Sequence, residues 1–155
     1  MTYHSLTETP LGDAVLTGDE HHLTGLSFAT DAPLPGERDD ARFRDATLQL
    51  REYFAGERTV FDVPLRLEGS DFEQAVWAAL TRIPYGQTIT YGELADSLGR
   101  PTAARAVGAA NGRNPVALIV PCHRVIGAAG ALTGYAYGVD RKRALLELEG
   151  VLLAA

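Results

Sequence analysis

Two short signatures most restrict what this chain can fold into. Ser70-Asp71-Phe72-Glu73 and Thr90-Tyr91-Gly92-Glu93 both have the form of a capping box. In that motif a hydroxyl accepts from the third backbone N–H of a helix while a glutamate reaches back to the cap. Each therefore marks a helix start. After the first box, Phe72, Val76, Ala79, Leu80 and Ile83 recur as the apolar stripe of a helix, and Pro84-Tyr85-Gly86 turns the chain. After the second, a short helix should end at Gly99. Pro101 is expected to open a third helix over residues 102–111, closed by Gly112. Two short helices joined by Leu98-Gly99-Arg100-Pro101 have the form of a helix-turn-helix.

The chain upstream has a different texture. Residues 3–8, 13–17 and 23–28 alternate apolar and polar side chains between turn signals, which predicts an antiparallel meander. Residues 31–40, with Pro33, Pro35 and Gly36, read as a loop. Phe43, Ala46, Leu50 and Phe54 predict a helix capped by Gly56. Residues 60–63 read as a last strand or an extended linker, ended by Pro64. The 155 residues thus divide into an α/β unit, 1–68, and a largely helical unit, 69–155. In the second unit the apolar run 116–120 suits a buried strand. A glycine-punctuated loop, 127–138, precedes a final helix from about Val139 to Glu149.

Charge separates the two units further. The formal net charge of −6 argues against nucleic acid, whose phosphates attract basic proteins. However, residues 1–68 hold 13 acidic and 6 basic side chains, whereas residues 96–143 hold only Asp96 and Asp140 against seven cations. The acidity belongs to a supporting unit expected to face away from any nucleic acid, and the basic segment is the one to test for DNA. Arg124, beside the apolar run, reads as structurally paired. Arg141, Lys142 and Arg143 read as a solvated helix start. Trp77 reads as core or rim packing.

Within the third helix, seven of the eleven residues from Thr102 to Gly112 are Ala or Gly. Tight core packing would explain this. So would a helix thin enough to press against the minor groove of DNA, which is only about 6 Å wide. Arg105 is the single long cation of that helix, able to enter a base stack. Arg100 lies in the turn, beside where a duplex would run. Thr102, Ala104 and Gly108 complete the candidate DNA-contacting set.

Cys122 is the only cysteine, so the chain can form no internal disulfide and no cysteine-rich zinc site. His123 follows it. A thiol with a pKa near about 8.5 is mostly protonated at neutral pH and needs a base or a positive charge to become a nucleophile. Neighbouring side chains on a strand point apart, so a sharp bend or a water must join Cys122 to His123. A carboxylate should orient the histidine, with Glu149 the leading candidate and Glu147 its rival. Met1 to Gly12 shows no basic region followed by an apolar run, and no stretch approaches a membrane span. A cytoplasmic protein with a reduced thiol is expected.

Asn114-Pro115, Pro121-Cys122-His123-Arg124-Val125-Ile126, Tyr85-Gly86-Gln87-Thr88 and Ala103-Ala104-Arg105-Ala106-Val107-Gly108 together resemble the O6-alkylguanine-DNA alkyltransferase family. The resemblance runs from about Phe72 to Gly150 and is weaker in the N-terminal half. It implies an α+β fold: a small antiparallel-sheet, ribonuclease H-like N-terminal domain, then a helix-turn-helix, winged-helix-like domain carrying the active-site cysteine. The implied partner is double-stranded DNA containing O6-alkylguanine, with O4-alkylthymine a further candidate substrate. The helix-turn-helix would flip the damaged nucleotide out, and Arg105 would fill its place. The alkyl group would pass once, irreversibly, to Cys122. His123 would deprotonate the thiol through a water, Glu149 would orient His123, and Asn114 would support the active-site turn. Tyr91 would donate a hydrogen bond to the flipped base, with Val125, Tyr135 and Ala136 walling its pocket.

Two departures stand out. Tyr137-Gly138 replaces paired glycines common in the family; Tyr137 is expected to point to solvent rather than narrow the pocket. The cysteines of relatives with an N-terminal zinc site are missing, so His4, His21 and His22 read as surface residues, with no metal or cofactor. The implied protein is a monomer. Competing readings are a DNA-binding alkylation or redox sensor, a lesion-binding protein without repair, and a Cys-His hydrolase. A helix poor in side chains able to read base edges disfavours a sequence-specific regulator.

Overall fold

The computed structural model describes residues 1–31 and 33–153. Its contacts divide the chain into two compact units, Met1–Glu68 and a second from Gly69 onward.

The first unit is a four-stranded sheet with one helix. β1 (Tyr3–Thr9) and β2 (Gly12–Gly18) form a hairpin in register from Tyr3↔Gly18 to Thr9↔Gly12. β3 (Leu23–Ser27) pairs antiparallel with β2, with a bulge at Thr17/Gly18. The expected all-antiparallel sheet needs one correction. Glu37–Arg38, inside the expected loop, forms β4 and lies parallel to Tyr3 and His4. Gly36 permits that approach: at φ +68° it lies so close to Thr2 that an added Cβ would overlap the Thr2 carbonyl. α1 (Arg44–Phe54) follows a 3-10 turn at Asp40–Phe43 and buries Ala46, Leu50 and Tyr53. Residues 60–63 are an extended linker and not a strand, because a side chain supplies their pairing. Gln49 Nε2 donates to the Asp62 carbonyl at 3.0 Å, and Asp62 N–H donates to Gln49 Oε1 at 2.8 Å. Pro64 to Arg66 then hydrogen-bonds with Leu23.

Both capping boxes of the second unit form. Ser70 and Glu73 cap α2 (Asp71–Leu80), and Thr90 and Glu93 cap α3 (Tyr91–Ser97). Trp77 is core: it is buried, and its indole N–H donates to Ala110 O at 2.9 Å. α3 ends in a Schellman arrangement, with Gly99 N–H on Asp96 O, Arg100 N–H on Ala95 O and Gly99 at φ +69°. The next helix starts later than expected. Pro101 occupies a turn closed by Ala103 N–H on Arg100 O, so α4 runs Ala104–Gly112 and Gly112 lies in its last turn. Proline's fixed φ serves turn and helix starts equally well, which is why its position alone misplaced the start. β5 (Ile89–Thr90) pairs parallel with β6 (Val125–Ile126), and α5 (Val139–Leu148) closes the unit.

Candidate active site

A side-chain clamp, and not a strand, delivers Cys122. Val116, Ala117, Leu118 and Val120 are buried as expected and Ile119 is half-buried, but the run folds into a tight loop. Val120 N–H donates to Val116 O at 3.0 Å, Ile119 N–H to Ala117 O at 2.8 Å, and Leu118 sits at φ +73°. Asn114 stands in for a neighbouring strand: its Oδ1 accepts from Val116 N–H at 3.0 Å and its Nδ2 donates to Val120 O at 2.7 Å. An aperiodic apolar run signals burial but not backbone shape.

Cys122–Arg124 is a single 3-10 turn, the sharp bend that the Cys-His pair requires. With about three residues per turn, successive side chains leave in three directions, so all three can be buried in different surroundings. His123 Nε2 lies 2.8 Å from Glu149 Oε2. Arg124 grips the same carboxylate from Nε at 2.8 Å and Nη2 at 3.0 Å, and its Nη1 donates to Ile83 O at 2.7 Å. This is the structural pairing expected for Arg124. Glu147 is exposed, whereas Glu149 closes the final helix on its buried side. The Pro84–Gly86 turn braces that end: Tyr85 hydroxyl donates to Leu148 O at 3.2 Å.

These contacts assign the histidine tautomer. A carboxylate held by a bidentate guanidinium is ionised and accepts only, so His123 Nε2 carries the proton. Nδ1 then keeps its lone pair and, among the described residues, has no partner. Burial, outweighing the attraction of Glu149, holds His123 below its ordinary pKa of 6.5. The ring is neutral near pH 7 and can accept a proton. Burial pushes the Cys122 thiol up, while the Asn114 amide and the Lys142 ammonium pull it down.

Lys142 corrects the sequence reading. The expected solvated lysine is fully buried, and its Nζ donates to Val125 O at 2.5 Å and Thr133 O at 2.7 Å. Lys142, Leu145, Leu146 and Glu149 share one face at i, i+3, i+4 and i+7, a spacing that was available in the sequence. A flexible aliphatic stem lets such a lysine bury while its charge stays hydrogen-bonded. Asn111 was also missed. It is buried on α4, its Nδ2 lies 3.4 Å from Cys122 O, and its Oδ1 has no partner among the described residues.

Tyr91 donates its hydroxyl to Thr133 O at 3.2 Å. Burial first, then the nearby Cys122, raises its pKa, so it remains a donor. Gly134, at φ +72°, admits that hydroxyl; an added Cβ would come within 2.9 Å of it. Gly108 of α4 faces the Tyr91 ring. Val125 and Tyr135 are buried and Ala136 is exposed. Tyr137 is not free in solvent: it is half-buried, its ring edge-on to Tyr135 with centroids 5.7 Å apart. Thr102 and Arg105 are exposed, Ala104 is half-buried, and Arg105 makes no hydrogen bond or ion pair among the described residues. Arg100 is exposed, with its guanidinium over the Phe72 ring at 5.4 Å.

The basic segment is therefore less basic at its surface than by count. Arg124 and Lys142 are buried, and Arg113 is paired with Glu73 at 2.6 Å. Among the described residues no group of His, Cys, Asp and Glu is arranged to hold a metal ion, and no helix is long and apolar enough to cross a membrane. His4 bonds the Pro35 carbonyl and His22 lies beside Asp19.

Comparison with known proteins supplies the family. Residues 71–151 match the DNA-binding domain of 6-O-methylguanine DNA methyltransferase, and residues 2–67 match its ribonuclease-like domain. The methylated-DNA–protein-cysteine methyltransferase of Mycobacterium tuberculosis (strain ATCC 25618 / H37Rv) is 54% identical over 153 residues, covering 96% of this chain and 93% of its own. That of Methanosarcina acetivorans is 52% identical, covering 96% and 98%. A crystal structure of the Mycobacterium tuberculosis O6-methylguanine methyltransferase superposes with a TM-score of 0.91 at 52% identity, covering 100% of this chain and 97% of that one. A second, of Mycobacterium tuberculosis OGT in complex with DNA, has a TM-score of 0.90 at 54% identity, covering 95% and 92%. The chain belongs to the methylated-DNA–protein-cysteine methyltransferase family.

Proposed function

We propose that this chain repairs O6-alkylguanine in double-stranded DNA by a single direct displacement onto Cys122. The observation that carries the reading is a physical link: Asn111, on the helix that bears the exposed Arg105, is bonded to the carbonyl of the buried nucleophile. His123 Nδ1 takes the thiol proton through one water, and Glu149 holds the imidazole in the tautomer that leaves Nδ1 free. The thiolate sulfur attacks the alkyl carbon, the carbon–O6 bond breaks, and the electron pair stays on the base. Tyr91 donates a hydrogen bond to that base as its charge grows. The base anion takes up a proton from water to become guanine, the sulfur is left as a thioether, and no group at the site can cleave the thioether. Each molecule acts once.

Arg100, Thr102, Ala104, Arg105 and Gly108 contact the duplex in this reading, and Arg105 fills the gap left by the flipped nucleotide. Val125, Tyr135 and Ala136 wall the pocket. Residues 69–155 hold DNA and do the chemistry while residues 1–68 support them. The protein acts as a monomer, since one chain supplies every group named. A lone thiol nucleophile requires a reducing compartment, so the protein works in the cytoplasm.

Incubation with DNA containing O6-methylguanine, followed by peptide mass mapping, should place one methyl group on Cys122 per molecule. Methylation elsewhere, or repeated turnover, would overturn the reading. In the same assay Arg105→Ala should lose at least about tenfold on duplex DNA, corresponding to ~1.4 kcal/mol of lost stacking support, and far less on free O6-methylguanine.

A further inference from the structure

Lys142 is a buried charge that the chemistry above leaves unused. Three basic groups lie around Cys122. Arg124 is neutralised by both oxygens of Glu149, and His123 is neutral and donates to the same carboxylate. Lys142 has no carboxylate partner among the described residues; Val125 O and Thr133 O solvate it with dipoles only. The titratable groups facing it are Cys122 and His123 from the 3-10 turn and Tyr91 from α3, whose ring centroid is 5.9 Å from Nζ. Of these, only Cys122 becomes an anion during the reaction.

We infer that Lys142 is a positioning residue for alkyl transfer: its ammonium staples the loop at Thr133 to the strand at Val125 and provides the counter-charge toward which Cys122 ionises. This rests on the alkyl-transfer reading. Thr133 O is also where the Tyr91 hydroxyl is held, so Lys142 keeps that carbonyl satisfied when Tyr91 turns to a bound base. Lys142 neither gains nor loses a proton in the step. The thiol proton goes to His123, the sulfur–carbon bond forms as the carbon–O6 bond breaks, and the negative charge moves from sulfur to the departing base. Lys142 faces that charge first on sulfur and is left without a counter-ion once the thioether has formed. Burial lowers its ammonium to about 8, with Cys122 pulling the other way, so at pH 7 it carries its charge.

The test is the ionisation of Cys122, read by its rate of modification with iodoacetamide across pH. Lys142→Met keeps the stem and removes the charge. Its Cys122 titration should move at least one unit upward, so that at pH 7 both iodoacetamide modification and methyl transfer slow by about tenfold or more. Affinity for undamaged duplex should be unchanged. Lys142→Arg should restore most of the titration, since it restores the charge. A folded Lys142→Met protein whose Cys122 titrates as in wild type would overturn the proposal. Should Lys142→Met not fold, Lys142→Gln, whose amide can still donate to the Val125 and Thr133 carbonyls, supplies the decision. It too must slow iodoacetamide modification of Cys122 at pH 7, and a wild-type rate refutes the coupling. Failure of wild type to take a methyl group from DNA would instead overturn alkyl transfer itself, and the iodoacetamide titration would still report on the lysine.

Discussion

The two units handle charge in opposite ways. In residues 1–68 the ion pairs are at the surface: Arg38 with Asp40, Arg42 with Asp39, Arg58 with Glu52, and Arg66 with both Asp19 and Glu68. The buried polar side chains there are Ser5, Thr7 and Gln49, all neutral. In the second unit the interior holds His123, Arg124, Lys142 and Glu149 together with Asn111 and Asn114. Exposed pairs contribute little because water screens them, whereas buried ions cost several kcal/mol each unless fully paired. Such an arrangement is poor economy for stability alone. It makes sense where the charges must act on a thiol that burial would otherwise keep protonated.

The contrast can be broken most forcefully at Glu149. Glu149→Gln leaves Arg124 buried without its carboxylate and removes the acceptor that sets the His123 tautomer. Methyl transfer should fall by ~10²–10⁴-fold, the range for losing a positioned proton acceptor. Unfolding free energy should fall by about 3–5 kcal/mol, the cost of half a buried pair, read by denaturant titration.

An intermediate effect should appear in acid. His123 is held below 6.5 in the folded state. The unfolded chain therefore binds a proton first, and the stability that His123 contributes is present above about pH 6.5 and lost as pH falls below it. Denaturant midpoints should decline from that pH downward, and His123→Gln should flatten the decline. An unchanged slope would show that the imidazole is not buried neutral. The smallest effect belongs to the first unit. Arg38→Ala removes an exposed pair with Asp40 and should leave both the melting temperature and the methyl-transfer rate unchanged. A clear loss of stability there would erase the distinction between the units.

Much of this was legible locally. The capping boxes announced α2 and α3 because cap chemistry is satisfied within four residues. The hairpin β1–β2 announced itself through alternation and a tight turn. What escaped detection was whatever depended on a distant partner. β4 is two residues long and exists because Tyr3 and His4 lie beside it. Residues 116–120 bend because Asn114 supplies their hydrogen bonds, although the apolar run alone reads as a strand. Lys142, flanked by two arginines, resembled a solvated patch; its spacing from Leu145, Leu146 and Glu149 put it on their face of α5, but its carbonyl partners at Val125 and Thr133 show only in the structure.

The sequence by itself picked out the candidate nucleophile, the candidate base beside it, the thin arginine-bearing helix and the family. Each is a matter of residue type at short spacing, and such patterns survive without knowledge of the fold. Tertiary structure decided between Glu149 and Glu147 as the partner of His123, gave His123 its tautomer through Arg124, and buried Lys142 against the carbonyls of Val125 and Thr133. Those outcomes turn on burial and on partners far apart in the chain, because a charge has a consequence for a thiol only where water is excluded between them.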